Sequence, residues 1–168
     1  MLQNLLRNRL APAGFTLVEL LVVMAILMIA AAIVIPQAVG TSSFKAQSAA
    51  RLAMSDLEYA QNQAIVVQSP VKVQFSPAGN SYTILDVNKS QPLVHPITKK
   101  VYTVDFATQA GLKGVSLDSA DFGGAAEVTF DSLGAPDRGG TVTVSAGVHA
   151  YRVTVAPVSG RVKVEQVP

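Results

Sequence analysis

The sequence predicts an α+β fold: a long amino-terminal helix packed on an antiparallel β-sheet or small sandwich. Residues 15–35, FTLVELLVVMAILMIAAAIVI, carry only two polar side chains, Thr16 and Glu19, which reads as one continuous apolar helix. From residue 70 the apolar pattern changes to the two-residue period of strands. Between the two, Ala53, Leu57, Ala60, Ala64 and Val67 recur at steps of four and three, so a second helical stretch carries a narrow stripe of mostly small residues. A length of 168 residues suits one hydrophobic core, and a hydrophobic content of 49% argues against disorder. The chain has no cysteine, which excludes a disulfide framework, a thiolate zinc site, an iron–sulfur cluster and a cysteine nucleophile.

As a helix, the 15–35 stretch would span about 31 Å, close to the roughly 30 Å of a bilayer's hydrocarbon core. A secretory signal peptide has a shorter apolar run, about 7–15 residues, and no reason to hold a carboxylate. Glu19 costs on the order of 2.5–3.5 kcal/mol in a spanning helix, so it is expected to do something. Arg7 and Arg9 precede the span and Lys45 and Arg51 follow it, so charge counting does not orient it. A short tail is easier to leave inside than a folded domain, which places residues 1–14 in the cytoplasm.

The junction APAG-FTLVE, with Gly14, Phe15 and Glu19 at these spacings and Pro36 closing the apolar run, resembles the type IV prepilin cleavage site. The resemblance implies that a prepilin peptidase cuts a leader after Gly14, that Phe15 becomes the N-methylated amino terminus, and that Glu19 sets register between helices in a filament. Each residue also has a physical reason. Gly14 leaves the scissile peptide unobstructed. The amine freed on Phe15 sits at a helix N-terminus, where the macrodipole disfavours a positive charge, and a neighbouring subunit's Glu19 could neutralise it. The alternatives for Glu19 are a partner within its own subunit or protonation. Pro36 removes a helical hydrogen bond and clashes with the preceding turn, so a helix kink is expected there, the alternative being that the helix ends.

The expected organisation is therefore a cleaved leader over 1–14, a transmembrane half-helix over 15–35, an export-side half-helix over 36–68 and a β-rich globular domain over 69–168, a lollipop outline. Strands are expected at 71–75, 81–87, 101–106, 127–131, 141–145, 149–155 and 161–167. They are divided by turn segments such as Ser76–Asn80, Leu133–Pro136 and Pro157–Gly160. The stretches DLEYAQNQAIVVQSPVKVQF, VTFDSLGAP and VSGRVKVEQV are similar to the GspH/FimT group of minor pilins and type II secretion minor pseudopilins. That resemblance implies a structural subunit that initiates or caps a type IV pilus or a secretion pseudopilus. Its partners would be other pilin or pseudopilin subunits, the assembly platform and inner-membrane lipid, with the C-terminal domain in the periplasm. Many major pilins close their C-terminal region with a disulfide; here sheet pairing and packing must suffice.

No enzyme is expected and no cofactor. His95 and His149 lack partners at catalytic spacing, and no G-x-S-x-G, H-E-x-x-H or phosphate-loop pattern occurs. Asp118 and Asp121 fall in a Gly-containing loop without the spacing of a calcium site. The last hairpin is more informative. A four-residue turn at Pro157–Gly160 sets Thr154 opposite Lys163 and Arg152 opposite Glu165, and turns Tyr151, Val153, Val155, Val162 and Val164 inward. Arg152 and Glu165 can then neutralise each other, leaving Arg161 and Lys163 unpaired beside Gly160. A similar Gly-Arg-x-Arg element is associated with DNA in the DNA-uptake branch of this family, so Gly160, Arg161 and Lys163 are the candidate DNA-binding residues, although Lys163 lacks the planar fork of arginine. Removing a leader that holds Arg7 and Arg9 reduces 13 basic residues to 11, equal to the 11 acidic ones. Any affinity for an anion must then be local.

Overall fold

The structure, a computed structural model, describes the backbone of residues 15–39 and 41–167, and their side chains except those of 32–39. The chain divides at Gly40 into two units. The expected leader, including Arg7, Arg9 and Gly14, lies outside the described residues.

In the first unit a single helix, α1, runs from Leu17 to Val39. Thr16 starts it: its Oγ1 accepts the Glu19 backbone N–H at 3.1 Å, and its carbonyl accepts the Leu20 N–H at 3.2 Å. Thr16 is thus an N-cap and Glu19 stands at the third helical position, the spacing of a capping box. Every Leu, Ile, Val and Met from Leu17 to Ile29 is exposed. Pro36 falls inside α1, so the helix does not end there. Among the described residues no helix is long and apolar enough to cross a membrane. The described side chains of α1 stop at Ala31 and cover only part of the 15–35 stretch.

The second unit opens with α2, Thr41–Val67. Its buried residues are Ala46, Ala49, Ala50, Ala53, Asp56, Leu57, Ala60 and Ala64. The expected stripe is therefore present and extends a further two turns toward the amino terminus, but Val67 is exposed. The reason is the helix end. Ser69 N–H bonds Ala64 O at 3.2 Å and Gln68 N–H bonds Ile65 O at 3.4 Å, with Gln68 left-handed at φ 52°. This Schellman closure turns the last residue outward just before Pro70.

Among the described residues nine strands follow: β1 Val71–Ser76, β2 Ser81–Asp86, β3 Gln91–Pro92, β4 Thr103–Asp105, β5 Ser116–Asp121, β6 Glu127–Phe130, β7 Gly140–Ala146, β8 His149–Val155 and β9 Val162–Val167. They form two antiparallel sheets, one ordered β3-β2-β1-β6 with β4 also on β2, the other β5-β7-β8-β9. The helix α2 lies against β7, β8 and β9 of the second sheet and against β1 and β6 of the first. Alanines at that contact let the backbones approach closely, while Phe106, Phe122 and Phe130, all fully buried, fill the core. Two strands escape the two-residue pattern. The strand β3 is only two residues long, and β5, SLDSAD, is a polar edge strand with a bulge between Leu117 and Ser119. Asp118 is the bulged residue and Asp121 ends the strand, so neither belongs to the loop expected from the sequence.

Candidate functional site

The last hairpin adopts the expected register. Thr154 pairs with Lys163, Arg152 with Glu165 and Val155 with Val162, and Ala156 N–H closes the turn on Arg161 O at 2.9 Å. Tyr151, Val153, Val155 and Val162 are buried, with Val164 packed at the margin of the core. Arg161 and Lys163 are exposed on the other face. Arg152 and Glu165 are cross-strand neighbours, but among the described residues no ion pair joins them. Nor does any ion pair engage Arg161 or Lys163. A third cation, Arg51 of α2, joins these two around a groove of about 430 Å³ lined by Arg51, Met54 and residues 161–165. The local charge is thus larger than the hairpin alone implies. The sequence offered no sign of Arg51, since only folding brings α2 beside β9.

Gly160 has a packing role. It is left-handed at φ 65°, and a Cβ there would collide with the Gln61 amide. Gln61 Nε2 donates to Gly134 O at 2.7 Å and to Ser159 O at 3.1 Å, tying α2 to two separate turns. In the first turn, Asp131 Oδ1 accepts the N–H groups of Leu133 and Ala135, both at 2.9 Å, which accounts for the aspartate in VTFDSLGAP. The three stretches singled out from sequence therefore meet at one node, Gln61. Gly160 is buried in this node, so its part is to bring the chain close to α2 rather than to meet a ligand.

A second polar cluster was not legible in the sequence. Asp56, on the buried face of α2, is 5% exposed and accepts hydrogen bonds from Tyr82 Oη at 2.7 Å and Tyr102 Oη at 3.0 Å. Burial raises its carboxyl from the ordinary value, against the opposing pull of the two tyrosine hydroxyls and of nearby His95. Burial and the Asp56 charge likewise raise both phenols. His95 is half-buried: its ring lies 4.5 Å from that of Tyr102, and its Nδ1 accepts the Ile97 N–H at 3.1 Å. With every acceptor and donor of the Asp56 cluster satisfied, it is a polar core element, and the single signal for it was an acid on an otherwise apolar helix face.

Phe15 is 80% exposed and Glu19 is exposed in the first turn of α1. Asp121 Oδ1 accepts the Gly124 N–H at 2.8 Å and so closes its own turn. His149 opens β8. Among the described residues no group of three His, Cys, Asp or Glu could hold a metal ion.

With this geometry in place, residues 49–160 match the family model of the type II transport protein GspH, and residues 10–35 match the prokaryotic N-terminal methylation motif. No curated protein sequence gives a match. Among solved structures the fold is similar to the minor pseudopilin EpsH from the type 2 secretion system of Vibrio cholerae. The TM-score is 0.56 over 73% of this chain and 97% of that one, at 16% identity. It is also similar to the type IV minor pilin FimU of Pseudomonas aeruginosa, with a TM-score of 0.51 over 71% of this chain and 87% of that one, at 17% identity. At such identities the likeness is one of fold.

Proposed function

The chain belongs to the GspH family of type II transport proteins, and on that premise we propose that it is a minor subunit that initiates or caps a type IV pilus or a type II secretion pseudopilus. Its kind is that of a structural pilin or pseudopilin subunit, not an enzyme. In this reading a prepilin peptidase cuts after Gly14 and Phe15 is N-methylated. Residues 15–35 hold the subunit in the inner membrane until the assembly platform passes it to a filament of other pilin-type subunits. Residues 69–168 fold in the periplasm, and Pro36 supplies a kink between the two halves of the helical region.

The observation that carries the reading is the surface of α1. Its large apolar side chains are exposed, and a helix apolar on all sides needs lipid or other helices around it. The one acid among them, Glu19, lies in the first turn, where the amine of a processed Phe15 on a neighbouring helix would meet it.

Thr16 supplies a competing role for Glu19, since a capping box accepts either Glu or Gln at that position. The two roles separate by substitution. Glu19→Val and Glu19→Gln are both expected to leave leader cleavage intact and to impair incorporation into filaments, scored on sheared filaments with the N-terminus checked by mass spectrometry. Normal incorporation of Glu19→Gln would reduce Glu19 to a helix cap. The DNA-uptake alternative draws on the same hairpin cations, Arg161 and Lys163, and predicts salt-sensitive binding of oligonucleotides.

A further inference from the structure

Among the described residues the four-stranded sheet ends at β9, which pairs only with β8. Because Ala156 N–H bonds Arg161 O, antiparallel alternation turns the amides and carbonyls of Lys163, Glu165 and Val167 toward β8. Those of Val162, Val164 and Gln166 turn toward the open edge. Among the described residues no other backbone group takes them up. Such an edge normally acquires a cover, because it is a template for another strand.

The groove beside α2 follows this edge. Its lining includes five consecutive residues, 161–165, and consecutive strand residues point to opposite faces, so a cavity touching all five runs along the strand's side. Its floor is Met54, Val162 and Val164, and its rim carries Arg51, Arg161 and Lys163 against a single acid, Glu165. An apolar floor, a row of unpaired backbone groups and a cationic rim together ask for one occupant.

We propose that β9 receives an extended acidic segment of another pilin-type subunit as an added strand. Its backbone would continue the sheet, with alternate apolar side chains meeting Met54 and Val164 on the α2 side and alternate carboxylates meeting Arg161 and Lys163 on the other face, while Arg51, on the α2 side, adds to the positive field of the rim. Nucleic acid would satisfy the three cations but leave the edge amides and the valine floor unmatched. The identity of the partner rests on the filament reading above; the strand addition rests on the edge and the groove.

The test uses the full chain in detergent and a labelled peptide of about six residues alternating valine and glutamate. The parent peptide is expected to bind. An analogue N-methylated at alternate amides is expected to bind about tenfold more weakly. Gln166→Pro, which removes an outward N–H from an exposed edge position without touching the β8 ladder, should weaken binding similarly. Arg161→Glu with Lys163→Glu should abolish it, with tyrosine fluorescence confirming that each variant is folded. Equal affinity for the N-methylated analogue, or binding of a thymidine oligonucleotide of about twelve nucleotides in place of the peptide, overturns the proposal.

In cells, a photo-crosslinking residue at position 166 should yield a product with an acidic strand of another pilin-type subunit, mapped by mass spectrometry. Absence of that product while the chain still enters filaments overturns the strand addition alone. Absence of both overturns the filament reading as well.

Discussion

The helices α1 and α2 have similar lengths, 23 and 27 residues, and opposite relations to their surroundings. Large apolar residues in α1 are exposed, whereas in α2 six alanines and one leucine are buried together with Asp56. Bulk hydrophobicity therefore does not decide what is buried inside this subunit. What decides it is whether the helix's own unit holds a sheet and whether the helix is slim enough to approach it. The helix α2 obtains its partner from its own unit, whereas the described residues of α1's unit hold no sheet to cover it.

Paired substitutions test this contrast most strongly. Leu57→Ala should cost about 2–5 kcal/mol of domain stability through the cavity it leaves, whereas Leu21→Ala, at an exposed position of α1, should change it by less than about 0.5 kcal/mol. All four tyrosines, Tyr59, Tyr82, Tyr102 and Tyr151, lie in the second unit and the chain has no tryptophan, so tyrosine fluorescence during urea unfolding reports that unit alone. Equal effects of the two substitutions would break the comparison.

A smaller effect sharpens it. Gln61→Ala removes both hydrogen bonds from α2 to the two turns and should cost about 1–2 kcal/mol, read in the same unfolding experiment.

The smallest is a pH effect at Asp56. Burial raises its folded-state value above 3.8, so the folded protein keeps that proton to a higher pH than the unfolded chain does. Its contribution to stability is thus lost as pH rises from about 3.8 through the folded value. The stability of the wild type relative to Asp56→Asn should accordingly be greater at pH 4 than at pH 7. An unchanged difference would mean that Asp56 binds its proton equally well in the folded and unfolded states.

How much of this was legible follows from the range of the forces involved. The stripe at Ala53, Leu57, Ala60 and Ala64 could be read because local spacing alone defines a helix face. Its extension through Ala46, Ala49 and Ala50 could not, since alanines among Ser, Lys and Gln give little contrast. The register of the last hairpin was readable because a tight turn fixes it. In β5, Ser and Asp residues with one buried leucine carry no alternation to detect, and the strand exists because β7 offers an edge. Asp56 reads as an exposed acid until Tyr82 and Tyr102, contributed by distant strands, satisfy it. Arg51 joins Arg161 and Lys163 by the same kind of long-range placement. The cations of the groove were therefore two-thirds visible, and its free edge and apolar floor were visible only in the fold.

The Gln61 node also bears on the order in which the molecule can be completed. Its amide joins positions 73 and 98 residues further along the chain. A chain made amino terminus first presents the alanine face of α2 early, yet Ser159 and the strand that follows it arrive last. Contacts so distant in sequence are slow to close, and until they do the helix offers an uncovered apolar strip to its surroundings. Completion of the domain thus coincides with arrival of the edge strand β9, so the open edge exists only once the rest of the domain is in place.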